Sequence, residues 1–225
     1  MSGMGAACIG VPLAAMLLLL VGCVPTTEVD LKEPVRYVLA GKKYQVPLGY
    51  HYVDFLKRRS RWPHPRKEFT EAGAISITGV IPGIRPYGKS TRAEFEQLGH
   101  GNKIDILISP KATAYPMDEY LRRMKSADRL RLLPSDLEGL THYWDNHGGH
   151  DEGKGSDVYI KEEEAEYFML QCPRMEAPSP SCSVTKIIDD GLQIEYTFAT
   201  SHLMSWREID EDVGKLIHGF RVKQS

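Results

Sequence analysis

The dipeptide Asp190-Gly191 stands between residues 183–189 and the run Leu192-Gln193-Ile194-Glu195-Tyr196-Thr197-Phe198, and no other pattern in the chain restricts the fold as much. Asp-Gly accepts the positive backbone dihedrals of a tight hairpin turn. The alternation after it places Leu192, Ile194, Tyr196 and Phe198 on one face of a strand. A hairpin with one apolar face needs a cover, and the sequence supplies one a few residues later. Ser205-Trp206-Arg207-Glu208 has capping-box spacing, and Met204 is placed to staple onto Ile209. From there Ile209, Val213, Leu216, Ile217 and Phe220 form one helical stripe that stops near Gly219.

Further strands are expected upstream. Residues 35–46 read as two short strands around Gly41, closed by Pro47, while residues 74–81 and 103–109 alternate apolar with polar side chains. Residues 140–144, 157–160 and 165–172 add three more. Pro82, Gly83, Pro86 and Gly88 mark turns, and residues 93–98 allow one helical turn. Pro116 precedes a short amphipathic helix over 117–124, with Tyr120, Leu121 and Met124 on one face. Strands do not alternate with crossover helices, the mark of a parallel sheet. The expected fold class is therefore α+β: mostly antiparallel β-sheet with a C-terminal amphipathic helix packed on it and a disulfide-linked hairpin. Residues 35–225 make up the globular region, as one domain or as two subdomains of roughly 35–135 and 136–225.

The leader sets the compartment. Residues 1–22 carry no charge, and their apolar run from 9 to 21 is short for a membrane span, so they read as a signal peptide. Residues 1–10 lack the usual Lys or Arg, which points to a displaced start. Leu20-Val21-Gly22-Cys23 resembles the bacterial lipobox, which implies cleavage before Cys23 and its modification by diacylglycerol and palmitate. An ordinary cleaved leader with an incidental cysteine is the alternative. No Asp follows Cys23, so the expected anchor is the outer membrane, with the folded body in the periplasm and residues 23–34 as the tether. Cys8 leaves with the leader and Cys23 is acylated, which leaves Cys172 and Cys182, of the four cysteines, to pair in an oxidising compartment. The Pro- and Ser-rich residues between them read as an exposed loop, whose closure stabilises by roughly 2 to 3 kcal/mol.

Little in the sequence points to catalysis. A net charge of −2 argues against a nucleic-acid surface. His142, His147, His150 and Asp151 are ligand types that zinc accepts, which leaves a metal-dependent periplasmic hydrolase as an alternative function. Glycines surround them, however, where catalytic zinc ligands usually sit on rigid elements, and a polar hairpin tip is the preferred reading. The acidic run at residues 162–164 reads as a solvated patch. There is no nucleophile elbow and no phosphate-binding glycine loop, so neither catalytic residues nor a metal or cofactor are assigned.

Several stretches carry a family likeness: Gly41-Lys42-Lys43-Tyr44-Gln45-Val46-Pro47-Leu48-Gly49-Tyr50, Tyr167-Phe168-Met169-Leu170-Gln171-Cys172-Pro173, Pro180-Ser181-Cys182-Ser183-Val184, the hairpin from Asp190 onward, and His202-Leu203-Met204-Ser205-Trp206-Arg207-Glu208-Ile209. Together they resemble the periplasmic immunity lipoproteins of type VI secretion systems, especially those that guard against lipase effectors. The resemblance implies a non-enzymatic protein that binds and neutralises a cognate secreted toxin while a lipid holds it at the membrane. Most of the matched positions are core or disulfide residues. Candidate contacts with the toxin are Arg58, Arg59, Arg61 and Trp62 in one loop, and Trp144, Asp145, His147, His150 and Asp151 in another. A structural envelope lipoprotein is a further alternative.

Overall fold

The structure, a computed structural model, describes residues 30–51, 63–111, 117–146, 155–161, 167–174, 177–188 and 191–223. Residues 1–22, which read as a signal peptide, and Cys23 lie outside these residues, as do residues 58–62, 147–154 and 162–166 and Asp190.

A hairpin of β1 (Pro34–Leu39) and β2 (Lys42–Pro47) opens the described chain, turning through Ala40 and Gly41 at φ of 50° and 74°. With the two-residue β3 (Thr70–Glu71), parallel to β1, it makes a small sheet. The main sheet has eight strands: β4 (Ile75–Val80), β5 (Lys103–Pro110), β6 (Leu130–Leu133), β7 (Thr141–Asp145), β8 (Ser156–Ile160), β9 (Phe168–Pro173), β10 (Ser181–Ile188) and β11 (Leu192–Ala199). Their order is β4-β5-β11-β10-β9-β8-β7-β6, antiparallel throughout. From β11 to β6 the chain order simply folds back and forth. The exception is β5, which pairs with β11 along its length and so joins residues from both halves of the chain in one sheet. Three α-helices, α1 (Arg92–Glu96), α2 (Met117–Ser126) and α3 (Trp206–Phe220), and two 3-10 turns, Leu48–His51 and Thr200–Ser205, complete the described elements.

The hairpin around Gly191 forms as its pattern requires. Gly191 sits at φ 71°, and Leu192, Ile194, Tyr196 and Phe198 are all buried on one face. That face continues through Ile104, Ile106 and Ile108 of β5, Val184 of β10 and Leu170 of β9, and α3 covers it with Trp206, Ile209, Val213 and Ile217. Tyr44, Val46 and Tyr50 close the same core from the small hairpin, and Tyr50 meets Phe220 edge to face at 5.1 Å. A polar contact fixes the helix: Asp210 accepts from Lys186 Nζ at 2.5 Å and from the Tyr196 hydroxyl at 2.7 Å. Burial, and then the nearby Asp210 carboxylate, push the Tyr196 phenol well above its ordinary range.

The start of α3 departs from the sequence expectation. Residues Thr200–Ser205 form a 3-10 turn that runs into the helix, so Ser205 has φ −96° and ψ 16° rather than the extended conformation a capping side chain needs. Its hydroxyl makes no capping bond, and Met204 is 74% exposed rather than stapled onto Ile209. At the other end Gly219 lies within the last turn, and the helix stops because Arg221 is extended.

On the opposite sheet face α2 packs Leu121 against Tyr143, Val158 and Ile160, a second and smaller core. The disulfide joins Cys172 of β9 to Cys182 of β10, one step beyond the Gln171–Ser183 pair, with Cα atoms 4.2 Å apart. This is the close spacing of a cross-strand pair without mutual backbone hydrogen bonds. Both sulfurs lie in the main core.

Candidate functional site

The polar side chains of this fold concentrate where β7 and β8 rise toward residues 147–154. Register places His142 opposite Tyr159 and Trp144 opposite Asp157, all on the face that α3 covers further along the sheet. His142 is 6% exposed, and its ring stacks on Tyr159 with centroids 4.3 Å apart. Its Nδ1 donates to the Pro134 carbonyl at 2.9 Å, and its Nε2 lies 2.8 Å from Asp157 Oδ1. Arg174 then grips the same carboxylate through Nε and Nη2, both at 2.7 Å, while its guanidinium lies 4.5 Å above the Trp144 ring. Burial pushes the Asp157 carboxyl up, but the bonds from Arg174 and His142 outweigh it and hold the group below its ordinary value.

Asp145 forms a second pair on the other face, where Arg129 grasps it through Nε at 3.1 Å and through Nη2 at 3.0 and 2.8 Å. Gly155 closes the arrangement, since a Cβ there would stand 2.2 Å from Trp144 Cζ2 and 2.6 Å from the Asp145 carbonyl oxygen. Trp144 is 5% exposed and Asp145 1%, and their contacts are internal. His147, His150, Asp151, Arg58, Arg59, Arg61 and Trp62 lie outside the described residues.

Chemically, this is a brace. Both ring nitrogens of His142 are engaged, so the described member of the proposed zinc set has no lone pair directed at a metal. Among the described residues no group of three or more His, Cys, Asp or Glu is placed to hold a metal ion. Asp157, Arg174 and Arg129 carry no signal of this role in the sequence, because their bonds cross between strands. No spacing within a single segment announces them.

Two other features stand apart. His51, buried behind the small sheet, donates from Nδ1 to the Ser76 carbonyl at 3.0 Å and receives the Tyr37 hydroxyl at Nε2 at 3.3 Å. Burial pushes its pKa down to about 4, against a smaller upward pull from the Ser76 bond. A cleft of about 680 Å³, lined by Leu31, Lys32, Pro47, Tyr50, Pro86 and Tyr87, opens beside the first described residues. Among the described residues no helix is long and apolar enough to cross a membrane.

The class these elements define is an α+β fold: an eight-stranded antiparallel sheet with its C-terminal helix and N-terminal hairpin on one face. Two solved structures share it. The iron-regulated outer membrane lipoprotein FrpD of Neisseria meningitidis aligns with a TM-score of 0.59 and 18% identity, over 85% of this chain and 94% of its own. Smlt3025, an immunity protein of the Stenotrophomonas maltophilia type IV secretion system, aligns with a TM-score of 0.58 and 16% identity, over the same 85% and 94%. No protein-family model matches the sequence, and no curated protein is significantly similar to it.

Proposed function

We propose that this chain is a periplasmic immunity protein, non-enzymatic, that binds and neutralises a toxin delivered by a secretion system. The observation that carries the reading is the fold held in common with nearly the whole of an immunity protein. The lipobox-like leader supports a lipid anchor at Cys23, and the likeness to an outer membrane lipoprotein supports the outer membrane as its site. Tethering raises the local concentration of an inhibitor at the surface where a membrane-active toxin works. The family likeness of the C-terminal third supports a type VI lipase effector as the toxin. The expected contacts Arg58, Arg59, Arg61, Trp62, Trp144, Asp145, His147, His150 and Asp151 remain assigned to the partner, Trp144 and Asp145 being buried in the free chain.

Co-expression tests this. Toxins encoded beside the gene, lipase effectors first, are directed to the periplasm of a sensitive host with and without the chain. Growth restored by the chain is the expected result, and Cys23→Ala is expected to lose both palmitate labelling and part of the protection. Failure to rescue growth from any of these toxins sinks the proposal.

A further inference from the structure

The two outermost strands of the main sheet differ in how they are finished. β4 is closed off: the 3-10 turn Leu48–His51 lies against it, His51 bonds the Ser76 carbonyl, and Val80 bridges to Arg85. β6 is paired by β7 alone, and no described strand covers its outer edge. The ladder shows which groups point outward. Asn146 N–H donates to the Arg129 carbonyl at 3.1 Å, which places the Arg129–Asn146 pair in the hydrogen-bonding register of the ladder, while the Arg129 N–H turns to the Met124 carbonyl. Because such pairs alternate along an antiparallel ladder, Arg131 and Leu133 bond to β7, while Leu130 and Leu132 direct N–H and C=O away from the sheet. Among the described residues no hydrogen bond reaches those groups. Natural sheets usually blunt such an edge. This one carries Leu132 at 65% exposure.

The charges around the edge define what fits it. Side chains alternate across the strand, so Leu132 lies on the face of Tyr143, over whose ring Lys125 Nζ sits at 5.1 Å. Arg131 projects from the opposite face, beside Trp144, and is exposed. Arg122 and Arg123 add to the basic side of α2, Glu119 being paired with Arg122. An incoming strand with apolar and acidic residues in alternation would set its apolar side chains beside Leu132 and its carboxylates beside Arg131, with Lys125 at the rim.

We propose that the outer edge of β6 is where the chain receives its partner, an extended acidic and apolar segment of the toxin that adds to the sheet as one more strand. This rests on the immunity reading. Backbone hydrogen bonds from Leu130 and Leu132 supply affinity, and the flanking cations steer the approach.

The test uses the full mature chain and the toxin domain that it protects against in co-expression. Leu132→Pro removes an outward N–H without breaking a bond to β7, a position where an edge strand tolerates proline. It is expected to weaken binding by at least about tenfold with an unchanged circular dichroism spectrum, and Leu132→Val to bind like wild type. Arg131→Glu is expected to slow association and remove much of its salt dependence. Hydrogen exchange on the wild-type complex reads the edge without any variant, and the amides of Leu130 and Leu132 are expected to slow. A toxin that binds wild-type chain while these amides exchange as in the free protein overturns the edge proposal and leaves the immunity reading standing. So does protection that rises with chain concentration in the absence of toxin, which would assign the edge to a second copy. Wild-type chain that captures none of the toxins overturns both.

Discussion

His51 shows how a single buried side chain can set a pH limit on the fold. In the unfolded chain it binds a proton near 6.5, and in the folded protein only near 4. Between those values the unfolded state holds more protons, so stability rises with pH; its contribution is complete above 6.5 and lost as the pH falls toward 4. Denaturant unfolding at pH 7 and pH 4.5 is expected to show a decrease of about 2 to 3 kcal/mol from this residue. His51→Asn, which keeps a donor toward Ser76 but does not titrate, is expected to lack that share of the decrease. Asp157 works in the same direction at lower pH, since its depressed carboxyl gives stability above the ordinary carboxylate range that disappears on acidification through the folded value. Gly155 makes a different demand, because the Trp144 ring and the Asp145 carbonyl occupy the space a side chain would need. Gly155→Ala is expected to destabilise by about 1 to 3 kcal/mol and to lower the thermal midpoint, with intrinsic Trp fluorescence reporting the displaced ring.

Among the elements, the β10–β11 hairpin and the stripe on α3 are legible because each is written locally. Period-two alternation, a Gly at φ 71° and an apolar residue at every helical turn need no knowledge of the rest of the chain. Elements whose existence depends on distant partners were not. β3 forms only because residues 70–71 reach β1, and β6 carries Leu-Arg-Leu-Leu, too short a run to separate from loop. The capping box at Ser205 was misread for a related reason: its residues have the right spacing, but a 3-10 turn before the helix takes away the conformation the cap requires. The pairing of Cys172 with Cys182 came from counting cysteines, yet its place inside the core had no sequence signal. Because both sulfurs are buried there, replacing the pair with serines removes a covalent link and also puts hydroxyls into an apolar site. The double variant is expected to lose about 2 to 5 kcal/mol in chemical denaturation.

At the scale of the whole molecule, the sheet is asymmetric in a way that suits a binding protein. Its α3 face holds the main core, its β4 edge is closed by the N-terminal turn, and its β6 end gathers the His142, Asp157 and Arg174 brace and an open basic edge. The expected contact loops could be named from composition, but the brace and the open edge needed the register of four strands. Whether the chain neutralises by direct binding is read by titrating the purified chain, residues 23–225, into a purified toxin domain against which it protects in co-expression and measuring the toxin's own activity. Activity that falls in proportion to added chain and is abolished at equimolar amounts is the expected result; activity that persists under a large excess of folded chain rules direct neutralisation out.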